Sequence, residues 1–110
     1  MIATLFPSGS GALGVTLYNS QLDTFIQVAK AGSFSGAAKV LGVTPTAIIK
    51  QMNSLEARLD LTLFHRSRQG LTLTHAGEVL LKDAEQLVDF SHDALKRARQ
   101  AQQLEADKRA

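Results

Sequence analysis

SFSGAAKVLGVTPTAIIKQMNSLE, residues 33–56, is the stretch on which the fold of this chain turns. Ser33 caps a short helix in which Phe34, Ala37, Ala38 and Leu41 share one face, and the small pair Ala37–Ala38 lets another helix approach closely. Gly42 ends that helix. Thr44 followed by Pro45 starts the next, because a hydroxyl caps free amides and proline sits where its missing N–H costs nothing. In this second helix Ile48, Met52, Leu55 and Leu59 form a stripe to bury, and helical periodicity puts Thr46, Lys50, Asn53 and Ala57 on the opposite face, flanked by Ala47, Ile49 and Ser54. A short helix, a tight turn and a second helix with a polar outer face are how a helix-turn-helix offers a recognition helix to the major groove of DNA.

The flanks extend that unit. Upstream, Asn19 or Ser20 caps a first helix with Asp23 in its first turn, and Leu22, Phe25, Ile26 and Ala29 make one apolar stripe that stops at Gly32. Downstream, LTLFHRSRQGLTLT (61–74) alternates Leu61 and Leu63, then Leu71 and Leu73, with polar residues around a Ser-Arg-Gln-Gly turn, the pattern of a small β-hairpin. A hairpin directly after a recognition helix is a wing, and Arg66 and Arg68 near its tip suit phosphates or the minor groove. Thr74 caps a last helix expected from about His75 to about Leu104. Leu80, Leu87, Ala94 and Ala101 recur in it every seven residues, joined by Phe90. A helix of that length with one apolar seam needs a partner, and a second copy of the same helix is the natural one.

Composition narrows the function. Hydrophobic residues make up 45% and charged residues 20% of the 110, enough apolar content for a packed domain. The absence of cysteine removes disulfides, thiolate metal sites and cysteine nucleophiles. The formal charge is only +2, but residues 33–77 hold Lys39, Lys50, Arg58, Arg66 and Arg68 against Glu56 and Asp60, a local bias toward a polyanion. His65, His75 and His92 lack metal-ligand spacing, the glycines form no phosphate loop, and no apolar run is long enough for a membrane span, so neither an enzyme, a cofactor site nor a membrane partner is expected. Residues 1–18 carry Pro7, Gly9, Gly11 and Gly14 but no charge, so they read as a flexible arm without the Arg or Lys that a minor-groove arm uses. The expected organisation is an arm over 1–18, a DNA-binding unit over 19–73, a linker helix over 74–104 and a tail over 105–110.

Laid out in this order, the chain resembles the N-terminal region of LysR-type transcriptional regulators, from about Leu22 to Leu95. The specific pieces are GSFSGAAKVLGVT (32–44), Gln51 with Leu55 and Glu56, and the set Leu63, Phe64, Arg66, Leu73, Thr74, Ala76 and Gly77. The resemblance implies a mainly α fold: a winged helix-turn-helix of three helices and a hairpin, followed by a long dimerisation helix. It also implies regulation of bacterial transcription by a cytoplasmic, nucleoid-associated homodimer on an interrupted palindrome of double-stranded DNA. The residues it places on DNA are Ser33, Thr44, Pro45, Thr46, Ile49, Lys50, Asn53, Arg66 and Arg68; those it places at the dimer seam are Leu80, Leu87, Phe90, Ala94 and Ala101.

Three departures matter. Position 49, usually a small hydroxyl in that family, is Ile49, which loses a hydrogen bond but can press on a thymine methyl. Asn53 and Ser54 stand where basic residues are frequent, lowering phosphate affinity or shifting preference toward adenine through Asn53. His65 and His75 replace frequent glutamates and restore some positive character. The family also continues into a large effector-binding domain that this sequence does not contain. Two other readings compete: a dimerising interaction module whose DNA grip is lost, and a stand-alone regulator resembling the DNA-binding module of molybdate-responsive regulators, whose glycine-rich wing Ser67-Arg68-Gln69-Gly70 does not match.

Overall fold

Helix boundaries follow from capping side chains. The computed structural model describes residues 19–109, so the arm expected over 1–18 and the last residue, Ala110, lie outside the described residues. The Asn19 side chain accepts from the main-chain amides of Gln21 at 2.9 Å and Leu22 at 3.3 Å and opens α1 (Ser20–Ala31). Ser33 Oγ accepts from Gly36 N at 2.9 Å and opens α2 (Phe34–Leu41). Thr44 Oγ1 accepts from Ala47 N at 3.1 Å, with Pro45 in the first turn, and opens α3 (Pro45–Leu59). Between α2 and α3 the chain turns through Gly42 at φ 69°, left-handed backbone that glycine adopts without steric cost.

Antiparallel strands β1 (Phe64–Ser67) and β2 (Gly70–Leu73) follow, paired from Phe64↔Leu73 to Ser67↔Gly70 around the two-residue loop Arg68-Gln69. The first strand starts three residues later than Leu61, where alternation suggested it. Leu63 is fully buried and Leu61 is 40% exposed, because Glu56 rather than a partner strand engages the chain there. The final helix, α4 (His75–Arg109), is opened by Thr74, whose Oγ1 accepts from Gly77 N at 2.9 Å. It continues past Leu104, so residues 105–109 are helix rather than the expected tail. Spaced polar pairs support the extension: Gln103 Nε2 donates to Asp107 Oδ1 at 3.0 Å, and Arg109 lies 3.5 Å from Glu105.

The three short helices enclose one core. Leu22, Phe25, Ile26 and Val28 of α1 meet Ala37 and Ala38 of α2, and Ile48, Met52 and Leu55 of α3. Leu63, Phe64 and Ala84 close it from the hairpin and α4. Phe64 sits edge-on to Phe25 (centroids 5.6 Å apart) and to Phe34 (6.1 Å), the offset geometry that aromatic quadrupoles favour. Leu41, placed on the buried face by periodicity, is 39% exposed, since it ends α2 at the rim of the core.

Two polar joints set how the hairpin sits. The Glu56 carboxylate, near the end of α3, accepts from Leu63 N at 2.7 Å and Phe64 N at 3.3 Å through Oε2. On the far side of the same segment, Leu63 O accepts from Thr74 N at 2.9 Å, and Thr74 Oγ1 donates to Thr62 O at 2.6 Å. The start of α4 therefore lies directly against the Leu63 carbonyl, at Gly77. A Cβ there would collide with that main-chain oxygen and meet Leu73 Cδ2 at 3.0 Å.

Both joints are testable by denaturant unfolding followed by circular dichroism at matched chain concentration. Gly77→Ala is expected to lower stability by about 2–3 kcal/mol, because backbone rather than a flexible side chain must move. Glu56→Ala is expected to lose about 2–4 kcal/mol, because two part-buried amides lose their acceptor. A neutral result for either variant rejects the corresponding joint.

Candidate nucleic-acid interface

The polar face foreseen on α3 is present: Thr46, Lys50, Asn53 and Ser54 are exposed, opposite the buried Ile48, Met52 and Leu55. The hairpin stands beside this face and makes a groove of about 280 Å3 with it. Ser33, Phe34, Pro45, Ile49, Arg66, Ser67, Gly70 and Leu71 line this groove. The N-terminal ends of α2 and α3 thus border one opening, and helix N-termini favour anions. On the other flank Lys50 lines a second groove with Gln21, Ala47, Gln51 and Ser54, and Gln21 Nε2 donates to Ser54 Oγ at 3.1 Å. That bond fixes the start of α1 against the outer edge of α3.

The structure separates the nine residues assigned to the DNA side into groups. Ser33 and Thr44 have hydroxyls already engaged as helix caps, so they mark where main-chain amides are held rather than offering free acceptors. Pro45 and Ile49 form the apolar floor of the first groove, with Ile49 half-buried. Thr46, Lys50 and Asn53 line up along the exposed ridge of α3.

The two wing arginines differ. Arg68 occupies the hairpin loop, exposed to solvent, and like Lys50 it makes no ion pair or side-chain hydrogen bond among the described residues. Arg66 points back across the groove. Its Nη1 donates to Asn53 Oδ1 at 2.7 Å, its Nη2 donates to Glu56 Oε1 at 2.7 Å, and its guanidinium lies over the Phe34 ring, 5.3 Å from the centroid. The Glu56 side chain is only 16% exposed, so this pair is partly shielded from water and salt. Both contacts are short and charge-assisted, and the Phe34 ring lies against the guanidinium as a cation–π partner.

Sequence reasoning missed this cluster. Glu56 reads as part of a motif but its partners, ten residues away at Arg66 and seven at Leu63, lie on other elements. Phe34 reads as core, and is core on one face while carrying a cation on the other. The run of a carboxylate at the end of one helix and an arginine in the following hairpin was the one available signal.

The seam foreseen on α4 divides in two. Leu80 and Leu87 are half-buried against the domain's own core, beside the buried Ala84, and Ala94 is partly covered. Phe90 is 65% exposed with Arg97 stacked 5.5 Å over its ring, and Ala101 is exposed. Val79, Phe90 and Leu104, all more than half exposed, fall within about 40° of one another around the helix axis, a second apolar line facing away from the core. Among the described residues no group of three His, Asp or Glu is placed to hold a metal ion, and no helix is long and apolar enough to cross a membrane.

Known proteins share this arrangement. HTH-type transcriptional regulator YofA of Bacillus velezensis is 40% identical over 83 residues, covering 76% of this chain and 29% of that protein. HTH-type transcriptional regulator TcbR of Pseudomonas sp. strain P51 is 42% identical over 81 residues, covering 74% and 28%. The chain therefore spans under a third of the length of these relatives. A crystal structure of the CbnR DBD–DNA complex superposes with a TM-score of 0.74 at 40% identity, covering 77% of this chain and 98% of that one. The model of the lysR family of bacterial regulatory helix-turn-helix proteins matches residues 19–78, more than half of the sequence, and the chain belongs to that family.

Proposed function

We propose that this chain binds double-stranded DNA sequence-specifically and regulates transcription as a homodimer on a two-fold operator with separated half-sites. The observation that carries the reading is the exposed ridge of α3, which bears the uncommitted cation Lys50, together with the uncommitted Arg68 in the loop of the neighbouring hairpin. A major groove is wide enough to accept such a helix, and the wing tip then reaches the neighbouring phosphates or minor groove. CbnR, the structural relative at 40% identity, was solved bound to DNA, which supports the same partner here.

Lys50 and Arg68 neutralise phosphate, while Thr46, Ile49 and Asn53 face base edges, with Ile49 suited to a thymine methyl. Ser33, Thr44 and Pro45 bring the amino ends of α2 and α3 near the backbone. The second copy pairs along α4 through the outward line of Val79, Phe90 and Leu104, with Ala94 and Ala101 permitting close approach. Such a dimer gives two recognition helices and hence a palindrome, and a DNA partner implies residence with the nucleoid in the cytoplasm.

Selection of random duplexes with the purified chain, followed by sequencing, is expected to return a two-fold symmetric motif; enrichment of no motif at low or near-physiological salt rejects the reading. On that motif, Lys50→Ala and Arg68→Ala are each expected to reduce the slope of log affinity against log salt by about one. Unchanged slopes in fluorescence anisotropy titrations would remove both from phosphate contact. Sedimentation velocity tests the seam separately. The chain should run as a dimer at micromolar concentration and Phe90→Glu with Leu104→Glu as a monomer, whereas a monomeric parent chain overturns the α4 interface.

A further inference from the structure

Asn53 lies on the proposed base-reading ridge, yet it does not stand alone. Arg66 Nη1 donates to its Oδ1 at 2.7 Å while Nη2 donates to Glu56 Oε1 at 2.7 Å. A guanidinium has only donors, so the amide atom it meets must be oxygen, and this sets which way round the Asn53 amide stands. Glu56 is itself fixed by the amides of Leu63 and Phe64, and Phe34 supports the guanidinium from below. The orientation of Asn53 is therefore imposed by the wing.

An unencumbered asparagine reads adenine by accepting from the N6 amino group and donating to N7. Here the accepting oxygen already binds a cation. A second donor approaching it meets a weakened acceptor and the positive charge behind it. The free Nδ2 amino group and the guanidinium together offer only donors to the groove, and the base edge with only acceptors is that of guanine, through O6 and N7.

Resting on the DNA-binding reading above, we infer that Arg66 is a positioning residue that makes Asn53 select guanine rather than adenine. Without Arg66, Asn53 regains its accepting oxygen and its preference turns to adenine.

Sequencing of random duplexes selected by the parent chain, by Asn53→Ala and by Arg66→Ala tests this. The position whose preference flattens in Asn53→Ala is the one that Asn53 reads. Guanine is expected there for the parent chain, and the adenine-to-guanine ratio is expected to rise by about fivefold or more in Arg66→Ala. A structural role for Arg66 would lower affinity for all sequences and leave that ratio alone. Because loss of Arg66 also loosens the wing, a second measurement uses the unaltered protein. Replacing the selected guanine with 7-deazaguanine is expected to weaken binding by about fivefold, and an unchanged affinity overturns the inference. Adenine selected by the parent chain, or a ratio unmoved in Arg66→Ala, overturns the inference while DNA binding stands. Selection of no motif at all overturns DNA binding and the inference with it.

Discussion

The Glu56 carboxylate is the interaction on which the arrangement of this molecule depends. One oxygen accepts two main-chain amides at the start of the hairpin, and the other accepts the guanidinium of Arg66. Residues 61–63 have no strand partner, so without Glu56 the amide of Leu63 would face a largely apolar surround with nothing to accept it. The same segment turns its carbonyls toward α4: the Thr62 and Leu63 oxygens take the Thr74 hydroxyl and amide, and Gly77 lies against Leu63. Recognition helix, wing and linker helix are thus joined through one short segment. The position of the start of α4 is set within hydrogen-bonding distance of the segment that Glu56 of α3 holds.

That joint also explains why two arginines two residues apart behave differently. The antiparallel register turns residue 66 inward across α3 and leaves residue 68 in the loop. Arg66 is committed to Asn53, Glu56 and Phe34 through two short charge-assisted hydrogen bonds and a ring contact. Arg68 and Lys50 are exposed and their long-range fields are screened within about 10 Å at ordinary ionic strength. Cations of the latter kind attract a polyanion and release its counterions; the former kind hold a surface in shape.

The long helix serves two surfaces. Its N-terminal turns contribute Leu80, Leu81, Ala84, Leu87 and Val88 to the domain core, whereas beyond about residue 90 it leaves that core and its side chains are largely exposed. An amphipathic helix buries one stripe; this one carries a second stripe through Val79, Phe90 and Leu104 that its own domain does not cover. Polar pairs at helical spacing maintain the free end to Arg109.

Much of this was legible in the residues themselves. Caps at Asn19, Ser33, Thr44 and Thr74 act over two or three residues, apolar stripes repeat with the helical period, and Gly42 supplies a backbone geometry intrinsic to glycine. Local chemistry of that kind determined the helices, the hairpin and the outward face of α3 from the sequence alone. Where strand β1 begins and which face of α4 is covered were decided by tertiary packing. So was the fate of Arg66, because its partners at Asn53 and Glu56 lie thirteen and ten residues away on a different element. Periodicity places side chains on the faces of one helix; only the docking of a hairpin against that helix brings an arginine to an asparagine and so decides which of its atoms remain free.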